Sequence, residues 1–316
     1  MSGRHADGNL RLREEGVFMA RKQKQIKGAV VVTGASSGIG EVCALYLDKL
    51  GFKVLAGVRK KVDSDNLKQK ASDLLESIFI DITDSASIQS ARNTVAASVG
   101  EAGLAGLVNN AGVEVGGLLE FLPIAEIRRQ LEVNVIGHIA VTQAFLPLLR
   151  KGGGRIVNMG SITGRMPLPY LGPYSASKFA MEAITDSLRM ELRPWRIPVS
   201  IIEPSAIKTP MWDKARDAAH ETIKHFPQEA HDLYGPAIKA MLGLLENPDK
   251  IAKMATPVSI VVKAVGHALT AKRPKYRYPV GWDAKLGILA TKFVPARIRD
   301  WVIMLIWRRL GLKGEV

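Results

Sequence analysis

Residues 29–51, AVVVTGASSGIGEVCALYLDKLG, constrain the fold more than any other part of the chain. AVVVTG (29–34) is a short, continuous apolar run ending in glycine, the pattern of a strand buried on both faces. GIGEVCALYLDKLG (38–51) has helical periodicity and stops at Gly51. Between them stand Gly34, Gly38 and Gly40. In such a turn one glycine permits the tight bend, one lets the backbone approach a pyrophosphate, and one lets helix and strand pack closely. The helix then turns free N–H groups and a positive dipole end toward the phosphate. Glycines so spaced mean little alone. Leaving a strand and opening a helix is the context that gives them meaning.

The rest of the chain repeats the alternation. FKVLAGV (52–58), SIFIDIT (77–83), GLVNNAG (106–112), RIVNMGS (155–161), VSIIEP (199–204) and YRYPV (276–280) read as strands, with helical stretches between them. The expected fold is α/β: a single Rossmann-type, doubly wound parallel sheet of about seven strands with helices on both faces. Residues 205–275 are too long for a simple connection, and WDKARDAAHETIKHF and PAIKAMLGLLENP within them look helical. An insertion after a late strand lies near the carboxyl edge of the sheet, where ligands bind, so it is expected to cover a substrate. The expected organisation is a basic flexible extension at 1–27, a dinucleotide-binding and catalytic domain at 28–280, and a basic amphipathic extension at 281–316.

With 316 residues, 47% of them apolar and 23% charged, the chain can fill a core, which excludes a disordered or collagen-like protein. Its one cysteine, Cys43, excludes an intrachain disulfide and a multi-cysteine metal site, and no metal is expected. No uninterrupted run of about 18 apolar residues exists, so no ordinary transmembrane helix is expected. The first 27 residues lack the apolar run of a secretory signal. The net charge of +14 sits at the ends. Residues 1–27 carry seven Lys/Arg against three Asp/Glu, and residues 268–316 carry eleven against three. Such ends suit an anionic membrane surface or plain solvation. No nucleic-acid reading module accompanies them, so no nucleic-acid partner is expected.

GPYSASKFAMEAI places Tyr174 and Lys178 four apart, on one face if helical. A tyrosine has a pKa near 10, and an adjacent ammonium favours the phenolate. Lowering it by about three units would take about 4 kcal/mol and would suit acid–base catalysis near neutrality. The dinucleotide is read at the end of the second strand, where Val58-Arg59-Lys60-Lys61 offers no carboxylate to an adenosine ribose. An arginine there accommodates a 2′-phosphate, and Ser36 and Ser37 add donors, so NADP(H) is favoured. Asp63 and Asp65 keep NAD(H) open.

Taken jointly, TGASSGIG (33–40), Asp81 in DIT, NNAG (109–112), Asn134 in VNVIGH, Ser161 in MGSITG, YSASK (174–178) and IIEPSAIKTP (201–210) resemble the short-chain dehydrogenase/reductases over about residues 28–280. The resemblance implies that Tyr174 is the general acid/base, that Lys178 lowers its pKa and holds the nicotinamide ribose, that Ser161 bonds the reacting oxygen, and that Asn134 holds a relay water. It further implies a cofactor cradle of Gly34, Ser36, Ser37, Gly38, Ile39, Gly40 and Arg59, with Asp81 and Ile82 at the adenine. Asn110, Ala111 and Gly112 would line the cofactor, and Pro204, Ile207 and Thr209 would hold its nicotinamide end. One departure is visible: members commonly have Pro-Gly where this chain has Pro204-Ser205. A homodimer or homotetramer is also implied.

Leu118, Leu119, Met166, Leu168, Leu171, Met211 and Trp212 fall in the three stretches expected around the reacting carbon, which suits a lipophilic substrate. Residues 277–314 are similar to the end of the retinol and 17β-hydroxysteroid dehydrogenases in that family. WVIMLIW, flanked by Arg297, Arg299, Arg308 and Arg309, would lie on a membrane surface or pack against the protein. The expectation is a cytoplasmic oxidoreductase, with peripheral membrane contact through the tail, that moves hydride between NADP(H) and a steroid- or retinoid-like ketone, aldehyde or secondary alcohol. The alternatives are an NAD-linked alcohol dehydrogenase and a non-catalytic dinucleotide-binding regulator.

Overall fold

The computed structural model describes residues 26–246 and 255–309. Nearly all of the basic segment 1–27, and the last residues of the basic tail, lie outside the described residues. Seven strands, all parallel, form one sheet in the order β3-β2-β1-β4-β5-β6-β7. They are β1 (Ala29–Val32), β2 (Lys53–Val58), β3 (Leu75–Phe79), β4 (Gly106–Asn109), β5 (Arg155–Met159), β6 (Val199–Pro204) and β7 (Arg277–Val280).

The continuous apolar run of β1 follows from its place in the middle of this order. Val30 and Val32 enter one core, and Ala29 and Val31 enter the other. Helices α1 (Gly38–Lys49) and α9 (Val258–Thr270) cover the first face through Cys43, Ala44, Leu47, Val261, Val262 and Val265. Helices α3 (Ser85–Val99) and α5 (Gly137–Gly152) cover the second through Ile88, Ala91, Val95, Val141, Phe145 and Leu149. The short α2 (Lys61–Lys68) links β2 to β3. β1 pairs with β2 on one side and β4 on the other, so the winding reverses there and opens a crevice at the strands' carboxyl ends.

β3 starts and ends earlier than the apolar pattern suggests. The Asp81 carboxylate accepts the Thr83 N–H at 3.0 Å and its hydroxyl at 2.7 Å, a local turn that takes DIT out of the sheet. α4 (Ile124–Leu131) runs through one π-helical stretch, Glu132–Ile136, into α5. The combined helix Ile124–Gly152 is long and apolar enough to cross a membrane, but Val141, Phe145, Leu148 and Leu149 turn its apolar face onto the sheet.

The stretch after β6 divides in two. α7 (Met211–Lys224) and α8 (Gln228–Leu245) leave the sheet and form their own cluster, in which Ile223, Phe226 and Ile238 pack with Leu118. α9 instead returns to the sheet as the crossover to β7. α6 (Gly172–Glu191) precedes β6, and α10 (Trp282–Phe293) and α11 (Ala296–Arg309) close the described chain.

Candidate active site

Four side chains expected to act together are positioned by different elements. Tyr174 and Lys178 stand one turn apart on α6, where Pro173 occupies the first turn and needs no N–H partner. The Lys178 ammonium lies 5.5 Å from the Tyr174 ring centroid and donates to the Met159 carbonyl at 2.9 Å, at the end of β5. Ser161 follows β5 in extended conformation and caps the short turn Ile162–Gly164, accepting the Thr163 N–H at 3.2 Å. Gly164 lets this turn cross α6 closely, since a Cβ there would meet the Lys178 carbonyl at 2.8 Å. Asn134 lies in the π-helical stretch, whose extra residue turns its side chain off the helical register.

Burial governs the protonation of these groups. It drives the Tyr174 phenol well above the usual tyrosine range, and the nearby Glu114 adds to this, while the Ser161 hydroxyl pulls the other way. Lys178 is pushed down to about 8 by burial, with Glu114 opposing. The expected dominance of the ammonium over the phenol is thus outweighed by desolvation in this cleft. Asn134 uses its amide on the chain itself: Oδ1 accepts the Val113 N–H, and Nδ2 donates to the Val113 carbonyl, both at 2.9 Å.

The glycine turn has its expected shape. Gly34 adopts φ +66°, and a Cβ there would lie 2.7 Å from the Ala111 Cα; a Cβ on Gly40 would collide with the Gly34 carbonyl. Ser37, extended at the N-cap of α1, makes no capping bond of its own. First-turn N–H groups at such a helix start lack partners within the helix, as an anion site needs. Asn110 braces the turn, its amide donating to the Thr33 and Gly34 carbonyls at 3.0 and 3.2 Å. Thr33 Oγ1 accepts the Asn110 and Ala111 N–H groups.

Residues 28–220 match the short chain dehydrogenase family. The chain belongs to the short-chain dehydrogenase family. Mouse retinol dehydrogenase 5 is 38% identical to it over 293 residues, 89% of each chain. Bovine 17-beta-hydroxysteroid dehydrogenase type 6 is 36% identical, covering 88% of each. A short chain dehydrogenase from Burkholderia cenocepacia, solved with NADP, superposes with a TM-score of 0.67 at 25% identity, over 88% of this chain and 98% of that one.

As in its family, the protein is an oxidoreductase acting on CH–OH groups with a nicotinamide dinucleotide, and its residues fit that cofactor. At Gly34 and Gly40 the backbone approaches its neighbours too closely to admit a side chain. Arg59, 72% exposed, stands at the end of β2, 3.7 Å from the Asp81 carboxylate. Ile82 is buried beneath Gly137, whose Cβ would meet its carbonyl at 2.7 Å. Gly112 lies beside Asn134, and a Cβ on Gly38 would meet Thr209 at 3.3 Å. Ser36 is exposed and Ile39 partly buried at the same turn, while Pro204 and Ile207 are buried at the end of β6.

Ser205, where a glycine is usual, bonds Thr256 at 3.0 Å; the Thr256 N–H donates to the Ala206 carbonyl at 2.9 Å. The pair ties together the two ends of the insertion. Of the apolar residues expected around the substrate, Leu118 belongs to the insertion's core, and Leu119 is 64% exposed. Met166 packs under Gly287 of α10. Motif spacing gave no notice of Gln130, His138, Ser177 or Glu114. Each is an ordinary residue in the string, and only the folding of α4, α5 and α6 around one loop brings them together.

Proposed function

We propose that this chain is an NADP(H)-linked reductase of lipophilic ketones or aldehydes, with Tyr174 as the proton donor. The convergence of Tyr174, Lys178 and Ser161 at the carboxyl edge of the sheet, under an apolar insertion, carries the reading. A bound nicotinamide would supply the hydride to the carbonyl carbon. The protein residues manage the oxygen. Ser161 donates a hydrogen bond to it, the Tyr174 hydroxyl gives it a proton, and Lys178 stabilises the phenolate left behind. Asn134 holds Val113 and through it the loop beside the reacting group.

NADP preference rests on Arg59. Its ion pair with Asp81 is long and exposed, the kind worth about 0–1 kcal/mol, so it yields readily to a 2′-phosphate. A steroid- or retinoid-like substrate is favoured by the names of the relatives and by the apolar insertion.

The tail supports attachment at a membrane surface. Trp282, Leu286, Leu289 and Phe293 form one exposed stripe on α10, continued on α11 by Ile298, Trp301, Val302 and Ile306, with Arg297 and Arg299 beside them. α10 packs on Ile162 and Met166, so this stripe adjoins the loop after Ser161. Exposed Ile136 and Phe179 near the start of α5 and on α6 favour a homo-oligomer.

NADPH and NADH oxidation, compared against steroid ketones, retinal and medium-chain ketones, tests the reading. NADPH turnover on one lipophilic class is expected. NADH turnover alone would replace it with the NAD-linked alcohol dehydrogenase.

A further inference from the structure

Beyond β4, residues 110–116 belong to no strand, yet their backbone is paired as if they did. The Val113 N–H and carbonyl and the Val115 N–H, two residues on, are all bonded by side chains of one helical run, the period-two pattern of a strand. Two side-chain amides take the place of a neighbouring strand. Gln130, on α4, accepts the Val115 N–H on Oε1 at 2.7 Å and donates from Nε2 to the Val113 carbonyl at 2.9 Å. Asn134, one turn further on, holds both the N–H and the carbonyl of Val113 at 2.9 Å. Both side chains are fully buried.

The second N–H of each amide goes to one hydroxyl. Gln130 Nε2 reaches Ser177 Oγ at 3.4 Å and Asn134 Nδ2 reaches it at 3.2 Å, while Ser177 Oγ donates to the Tyr174 carbonyl at 2.7 Å. Both amides have then spent every donor, and the hydroxyl its one donor and two acceptor positions. Reversing either amide would set N–H against N–H and oxygen against oxygen, so the network has one arrangement. Buried and fully satisfied, it holds its members without slack. Further along, the Gly117 N–H donates to the Tyr170 carbonyl at 2.8 Å, and a Cβ on Gly116 would meet Leu171 and that same carbonyl at 3.2 Å. Residues 113–117 are therefore fixed against the approach to α6 and, through Ser177, against Tyr174.

We propose that Gln130 is a positioning residue for the reaction: with Asn134 and Ser177 it sets the wall formed by residues 113–117 in fixed register with Tyr174. This rests on the reading of Tyr174 as the proton donor. The reacting oxygen must meet the Tyr174 hydroxyl while its carbon faces the cofactor, and a misplacement of about 1 Å in such an arrangement costs about a hundredfold in rate. Gln130 has no exposed surface, so it acts through the backbone of Val113 and Val115 and through Ser177. An apolar side chain of similar length would keep the packing and lose the register.

The test compares Gln130→Met, Ser177→Ala and the double variant in the full chain. Residue-resolved amide hydrogen exchange, read without cofactor or substrate, should find the Val115 N–H protected in the unmodified protein and exchanging about tenfold faster or more in Gln130→Met, as loss of one hydrogen bond predicts. A Val115 N–H that exchanges freely in the unmodified protein, or equally in both, overturns the proposal. Turnover is measured with NADPH against steroid ketones, retinal and medium-chain ketones. Each single variant should lower kcat about tenfold or more while both KM values stay within about threefold. The double variant should lower kcat no further than the worse single one, since both act through one link. Ser177→Ala leaves the amides on Val113 and Val115, so it decides the matter where Gln130→Met fails to fold. A raised KM with unchanged kcat, or losses that multiply in the double variant, overturns the proposal. Tyr174→Phe separates it from the reading beneath it. An unchanged kcat there refutes Tyr174 as the proton donor. A lost kcat there, beside an unaltered kcat in Ser177→Ala, leaves that reading standing and refutes the role of Gln130.

Discussion

Tyr174 illustrates how little a residue's identity says about its chemistry. The same phenol four positions before a lysine could be activated by the ammonium or silenced by burial, and here burial dominates, with Glu114 adding to it. The Tyr174–Lys178 spacing, Ser161 and Asn134 were legible in the sequence because each sits in a fixed motif. Glu114 and Gln130 were not, because their role comes from a loop folding back onto two helices. Arg59 belongs between these cases: its place at the end of β2 was legible, but its pairing with Asp81 needed the β3 turn. Replacing Arg59 by alanine is expected to raise the KM for NADPH about tenfold or more, as loss of a charge-assisted hydrogen bond does, with that for NADH nearly unchanged. Steady-state kinetics with both cofactors checks this, and equal effects on the two would remove Arg59 as the phosphate reader.

At the scale of elements, α6 carries more than the Tyr174–Lys178 pair. Glu182 and Asp186 continue the face of Tyr174 and Lys178, and the Arg277 guanidinium from β7 bridges them at 3.0 and 2.6 Å. Glu203 of β6, almost wholly buried, faces Glu182. Burial and that like charge lift Glu203 from 4.5 to about 8, against Arg165 and Arg277. An acid whose folded pKa is raised keeps its proton longer in the folded chain than in the unfolded one. Its stabilising contribution is therefore full below about pH 4.5 and lost as pH rises toward about 8. Glu203→Gln is expected to flatten the fall in Tm between pH 5 and pH 8.5, roughly the window those values span; an unchanged slope would show that Glu203 does not keep its proton through that range. The apolar stripe on α10 and α11 makes a second prediction at this scale. Replacing Trp282, Phe293 and Trp301 by serine should abolish flotation with anionic vesicles, each ring having lain exposed on the protein. Flotation equal to that of the unmodified chain would exclude the stripe as the membrane contact.

For the whole molecule, the alternation of strand and helix made the fold readable, since a strand covered on both faces is buried along its whole length and mostly apolar, as β1 is throughout. What the alternation could not convey was where the long stretch after β6 rejoins the sheet. α8 and α9 are both apolar helices, and only packing sends one to Leu118 and the other to the central core. That core has little slack: Phe145, fully buried on α5, should cost about 3–5 kcal/mol when cut to alanine, read as a lower denaturation midpoint. A loss under about 1 kcal/mol would mean that the site relaxes. The central claim concerns proton transfer at Tyr174, and Tyr174→Phe tests it most directly. The measurement is turnover of a lipophilic ketone with NADPH, alongside NADPH binding by fluorescence. Binding within a few-fold of the unmodified protein, with kcat reduced by about a thousandfold, is the predicted result. Unchanged kcat with intact binding would contradict the account.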